Sequence, residues 1–152
     1  MTTTTTMAEV PGLVGQELGS SDWHEVTQEH VNQFAEATGD HQWIHVDVER
    51  AKAESPFGGP IAHGYLTLSL LAPLSAQVLV VTDTVMGVNY GLNKVRFPAP
   101  VPVGSKVRLS ASLKDVQEIA GGLQLTLSCS IEREGGDKPV CIAEPVYRYY
   151  GG

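Results

Sequence analysis

The chain has 152 residues, 42% hydrophobic and 18% charged, with ten Lys and Arg against seventeen Asp and Glu and a net charge of -7. That length suits one domain burying roughly two thirds of its unfolded surface without disulfides or metals. The composition excludes disordered and fibrous classes, and the acidity argues against nucleic acid or an anionic membrane as a partner.

Residues 1–9, with the run Thr2 to Thr6, are of low complexity and are expected to form a flexible end ahead of a single domain over 10–152. They lack the basic residues and apolar core of a signal peptide, and no stretch approaches the roughly 20 apolar residues of a membrane span, so a cytoplasmic protein is expected. From Val26 the pattern turns helical. Thr27 suits the N-cap, Val31, Phe34, Ala35 and Thr38 share one face, and Gly39 suits the αL cap that ends the helix. Asp40 therefore begins a loop. Asp47 can cap a short helix reaching about Ala53, and Ser55 to Pro60 reads as an irregular connection.

Ile61 to Val80 is the most apolar stretch, with Tyr65, Leu66, Leu68, Leu70, Leu71 and Leu74 on nearly all sides of a predicted helix that Pro73 should kink. Protein is expected to surround it. Strand signals follow over Val85 to Leu92, Asn93 to Phe97, Lys106 to Val116, Leu123 to Glu132 and Val140 to Tyr150. Val107, Leu109, Ala111 and Leu113 alternate with polar residues, as do Leu123, Leu125, Leu127 and Cys129, so an antiparallel sheet with one buried face is expected. Helices first and strands after is the order of an α+β protein whose sheet wraps around one buried helix. Cys129 and Cys141 lie within these strands, without metal-ligand spacing, and read as buried free thiols.

The strongest functional signal is the segment Thr38-Gly39-Asp40-His41-Gln42-Trp43-Ile44-His45, which sets a carboxylate and an imidazole five residues apart beyond a helix end. A carboxylate accepts hydrogen bonds while imidazole gives or takes a proton near neutral pH, so Asp40 and His45 could hold and activate one water. His41 and His45 are four apart beside Asp40, but Gly39 ends the helix that would align them, so no metal site is expected there.

The string Ala37 to Asp47, followed by Pro60-Ile61-Ala62-His63-Gly64-Tyr65-Leu66 and by Val95 to Gly104, resembles the MaoC-like dehydratases, or (R)-specific enoyl-CoA hydratases, of the hotdog fold. The likeness covers about residues 15 to 150. Gln42 and Trp43 stand where that family usually has Asn-Pro, a variant reminiscent of its nodulation-protein-like branch. What the resemblance implies is a single hotdog domain, an antiparallel sheet around a central apolar helix, working as a homodimer. It implies Asp40 and His45 as the catalytic pair and Gln42 as a positioning residue. Trp43 and Tyr65 are candidate pocket residues, as is His63, which is expected to brace the loop beside Gly64 rather than to do chemistry. The substrate would be a trans-2-enoyl thioester of coenzyme A or an acyl carrier protein, with no metal or redox cofactor.

Hydrating such a thioester requires charge to be stabilised at its carbonyl oxygen. The Gly64 backbone N–H is the expected donor, because glycine permits close approach and a helix N-terminus adds a favourable dipole. Asp40 and His45 would hold one water and add it to one face; either residue could be the base. A hotdog thioesterase and a non-catalytic acyl-thioester binding module are the rival readings.

Overall fold

Helix α1 (Gln28–Thr38) begins where the Thr27 side chain accepts the His30 N–H, and it stops at Gly39, whose φ of 83° closes the αL cap. In the computed structural model, which describes residues 1–152, it is followed by a single turn, α2 (Trp43–Val46), and by α3 (Val48–Glu54). The Asp47 side chain caps α3 by accepting the Arg50 N–H. These three elements lie where local sequence signals put them.

The apolar run is divided differently from its sequence expectation. It forms α4 (Gly64–Ser69) and α5 (Leu71–Val78), with the break at Leu70 rather than Pro73. The Leu70 N–H reaches the carbonyls of both Leu66 and Thr67 at 3.2 Å, which tightens the last turn of α4. Pro73 then falls in the first turn of α5, where a missing N–H costs nothing. Leu66, Leu71, Leu74 and Val78 are buried, but Tyr65 is 72% exposed, so within one chain the helices are covered on one side only.

The threonine run expected to be flexible is instead laid down as strand β1 (Thr3–Thr5), parallel to β4 (Leu79–Val81), with Thr3 opposite Leu79. Both segments are rich in β-branched residues, which favour extended backbone. Thr2 Oγ1 donates to the Gln77 carbonyl at 2.6 Å, and the Met7 N–H to Asp83 Oδ1 at 2.8 Å. Gly19, at φ 135°, lets this end approach: a Cβ there would lie 2.2 Å from the Met1 carbonyl oxygen.

The main sheet comprises β2 (Glu17–Ser20), β3 (His24–Glu25), β5 (Thr84–Arg96), β6 (Lys106–Ile119), β7 (Gly122–Arg133) and β8 (Pro139–Gly151). Its order is β2-β6-β7-β8-β5, with β3 also paired to β6, and every pairing is antiparallel. The two strands expected between Val85 and Phe97 are one strand, whose register against β8 shifts between Asn89 and Gly91 and between Leu92 and Val95. Leu109, Leu113, Leu125, Leu127 and Ile131 line the inner face and meet Leu66, Leu71, Leu74 and Val78 in one core cluster. The architecture is the hotdog: a curved antiparallel sheet wrapped around a helix.

Leu74 is almost fully buried at the centre of that contact. Leu74→Ala is expected to destabilise the fold by about 2–5 kcal/mol through lost burial and a residual cavity. Chemical denaturation checks this, and a loss under about 1 kcal/mol would show that the helix–sheet contact is not where the stability resides.

Candidate active site

Three segments converge at one end of α4. The Ile61 N–H donates to the Ile44 carbonyl at 3.0 Å, the Ala62 N–H to Val101 at 2.8 Å, and the Val103 N–H to Pro60 at 3.0 Å. The loop after α1, the approach to α4 and the turn after β5 are thereby pinned to one another.

Within this frame the local geometry of Asp40 is set by its neighbours. Its N–H donates to Thr38 Oγ1, and its Oδ1 accepts the Gln42 N–H, each at 3.3 Å. The Gln42 carbonyl in turn accepts the His45 N–H at 3.0 Å, and Gln28 Nε2 donates to the His45 carbonyl at 2.8 Å. His45 itself is buried, and its Nδ1 lies 2.7 Å from the Ile61 carbonyl oxygen. A carbonyl only accepts, so the neutral ring carries its proton on Nδ1 and leaves a lone pair on Nε2.

His63, the residue before α4, turns its ring back over the loop. Its Nε2 lies 2.9 Å from the Asp40 carbonyl oxygen, and its ring stacks on His45 with centroids 3.9 Å apart and packs at a tilt of 54° against Phe34 at 4.9 Å. Asp40, His45 and His63 each bring a ligating atom within 4.8 Å of the other two. The structure thus brings together the two residues expected to be catalytic and His63, the residue expected to brace this loop and border the pocket.

Burial is the first cause that pushes the His45 pKa down from its ordinary 6.5, and proximity to His63 adds to it. The bond to Ile61 and the Asp40 charge oppose this without reversing it. The ring is therefore neutral, able to accept a proton, to below pH 6.5. As pH falls through 6.5 the unfolded chain takes up the proton before the folded one does, so stability declines on the acid side.

The remaining expected residues are placed unequally. Gly64 is the first residue of α4, where its N–H has no intrahelical acceptor, and a Cβ there would lie 3.3 Å from the Phe97 ring. Its neighbour is thus a side chain that the sequence reading did not single out. Gln42 is exposed and enters the site through its backbone, with no hydrogen bond from its side chain. Trp43 is half-buried beneath the Arg50 guanidinium, 4.3 Å from the ring centroid, and Tyr65 points outward beside Phe97. Neither lines the cavity of about 270 Å³ that adjoins Gly64; its walls include Phe57, Ile61, Thr67, Phe97 and Val101. The Val95 to Gly104 string was the available signal for Phe97, which only the turn after β5 carries into the site.

Fold and site together define a hotdog enzyme with a carboxylate–imidazole pair beside a helix N-terminus. The profile of the MaoC like domain matches residues 9–131. The chain is 53% identical to 3-hydroxyacyl-thioester dehydratase Z of Mycobacterium tuberculosis, over 98% of its own length and 99% of the relative's. It is 47% identical to nodulation protein N of Rhizobium leguminosarum bv. viciae, over 90% and 86% of the two chains. Among solved structures, the (R)-hydratase from A. caviae involved in PHA biosynthesis superposes with a TM-score of 0.70 at 25% identity, over 88% of this chain and 96% of that one. The chain belongs to the MaoC-like dehydratase family. It is a hydro-lyase of the dehydratase and hydratase type. No helix is long and apolar enough to cross a membrane.

Proposed function

We propose that this enzyme interconverts trans-2-enoyl and (R)-3-hydroxyacyl thioesters, carried on coenzyme A or an acyl carrier protein, by syn addition and removal of water. The observation that carries the reading is the placement of the Asp40 carboxylate beside His45, whose Nδ1–H is held by the Ile61 carbonyl so that Nε2 is free to exchange a proton. In hydration, Asp40 and His45 orient one water; its oxygen bonds to the β-carbon, one of its protons passes to the pair, and a proton returns to the α-carbon from the same side. Electron density leaving the double bond collects at the thioester oxygen, where the Gly64 N–H is the donor. Dehydration runs through the same groups in reverse. Gln42 positions this pair, and its backbone bonds to Asp40 and His45 support that role. No metal or redox cofactor enters these steps.

The names of the relatives support an acyl thioester substrate, and the likeness to the (R)-hydratase supports the (R) face. The test is an absorbance assay of enoyl thioester hydration across chain lengths, with chiral analysis of the product. An (S) product, or release of free coenzyme A from a saturated acyl-CoA, would overturn the assignment. The neutral His45 adds a pH dependence: the acid limb of kcat/KM for hydration is expected below pH 6.5, because protonated His45 accepts nothing from water. A limb centred above that value would contradict the role given to this ring.

The working unit in this proposal is a homodimer. Edge strand β5 offers a long unpaired edge and exposes Val85 (70%), Met86, Val88, Tyr90 and Leu92. An edge of that length and apolar character needs a cover, and a second copy pairing β5 to β5 would supply it. Sedimentation equilibrium is expected to give twice the chain mass of 16.3 kDa, and a monomer at micromolar concentration would refute the pairing.

A further inference from the structure

The cluster of Asp40, His45 and His63 holds more acceptors than one water can satisfy. His63 Nε2 faces the Asp40 carbonyl, an obligate acceptor, so this ring too carries its proton on the bonded nitrogen and keeps a lone pair on Nδ1. His63 is only 2% exposed, and no group in the chain donates to that Nδ1. A buried acceptor without a donor is costly, and the neighbouring His45 and Asp40, which bring ligand atoms within 4.8 Å, also offer lone pairs, on Nε2 and on the carboxylate. Three acceptor-bearing groups whose ligand atoms lie within 4.8 Å of one another, with no donor from the chain to the His63 nitrogen, describe a place for a cation.

We infer that Asp40, His45 and His63 bind one first-row divalent ion of the Zn²⁺ class, and that this ion inhibits the enzyme. Two neutral imidazoles and one carboxylate form a zinc-type donor set that leaves a coordination position for water, and they suit Mg²⁺ and Ca²⁺ poorly. Each ring donates its other nitrogen's proton to a backbone carbonyl, the outer-shell arrangement that fixes the tautomer of a metal-bound histidine. Zinc bonds of about 2.0–2.2 Å require the ligand atoms to draw in from their present spacing. Asp40 is exposed and held by one 3.3 Å bond from the Gln42 N–H, so its carboxylate can move, and the two rings, stacked with their planes 24° apart, must splay for their in-plane lone pairs to meet. The inhibition rests on the roles proposed for Asp40 and His45, since an ion on their lone pairs displaces the water and removes the acceptor for its proton.

Calorimetric titration of metal-free protein with Zn²⁺, paired with visible absorption of Co²⁺, tests the site without recourse to activity. One equivalent per chain, a Co²⁺ band that EDTA abolishes, and no heat from Mg²⁺ are expected. His63→Gln keeps a side-chain N–H for the Asp40 carbonyl but lacks the imidazole lone pair; it is expected to weaken Zn²⁺ at least about tenfold, the loss that even outer-shell changes cause. Asp40→Asn, a change at an exposed side chain, is expected to weaken binding likewise. The stacked pair His24 and His30, with centroids 6.0 Å apart, is the competing place for zinc, and His30→Gln is expected to leave the affinity unchanged. Absence of binding at micromolar Zn²⁺, affinity unaltered in His63→Gln, or affinity lost in His30→Gln would each overturn the site. Full hydration by the zinc-loaded protein would overturn the inhibition, whereas zinc bound at the cluster of a protein that never hydrates an enoyl thioester would overturn the proposed reaction and leave the metal site standing.

Discussion

Asp40→Asn and His45→Gln are each expected to slow hydration of crotonyl-CoA by about 10²–10⁴-fold while the chain stays folded, the range that positioned acid–base groups supply. Asp40→Asn is isosteric, and its amide oxygen can still accept the Gln42 N–H that shapes the turn. What it loses is negative charge beside the water and beside His45. His45→Gln retains a side-chain N–H for the Ile61 carbonyl but no nitrogen lone pair to receive a proton. Because both variants preserve the bonds that hold the loop, thermal unfolding should change little, and the loss should appear in kcat. Activity within threefold of the parent in either variant would remove that residue from the mechanism. The double variant should lose little more than the weaker single one, since groups acting on one water are not additive.

Gly64→Pro set against Gly64→Ala isolates the other half of the chemistry. Proline is tolerated at the first position of a helix, where the N–H has no helical partner, and His63 already has the extended backbone that a following proline requires, with φ -60° and ψ 139°. Both substitutions add a Cβ at 3.3 Å from the Phe97 ring, so the displacement of that ring is common to both and cancels in the comparison. Only the proline removes the N–H. The proline variant is therefore expected to be slower than the alanine variant by about 10²–10³ in kcat, close to 3 kcal/mol of transition-state stabilisation. Equal rates would mean that the thioester oxygen finds its donor elsewhere.

These two experiments address groups that differ in how far the sequence disclosed them. The Thr27 cap, the Gly39 stop and the Asp47 cap were legible because each is a bond between residues within a few positions of one another. The sheet was legible because alternation along β6 and β7 records which side faces the core. From those local facts follows a loop that starts at Asp40, whereas the entry into the apolar helix at Gly64 and the identity of the proposed catalytic groups came from the family resemblance of the Ala37 to Asp47 and Pro60 to Leu66 strings.

Contacts between segments distant in sequence leave no such mark. Nothing in a threonine run says that it will find Leu79 to Val81, because the pairing depends on where α5 ends. The helix break at Leu70 was misplaced for a related reason: proline is a local signal, but whether it falls inside a helix or in its first turn depends on where the helix begins. Tyr65 and Leu66 are adjacent and both apolar, and only the direction of the sheet decides that one is exposed and the other buried. The sequence alone thus determined most of the elements, since propensity, capping and alternation act over a few residues, and its resemblance to a known family singled out the reactive side chains. Tertiary structure alone decided their chemistry: the Ile61 carbonyl sets the His45 tautomer, the Asp40 carbonyl sets that of His63, and packing brings Phe97 against Gly64. Each of those is a contact across 16 residues of chain or more, which no local rule encodes.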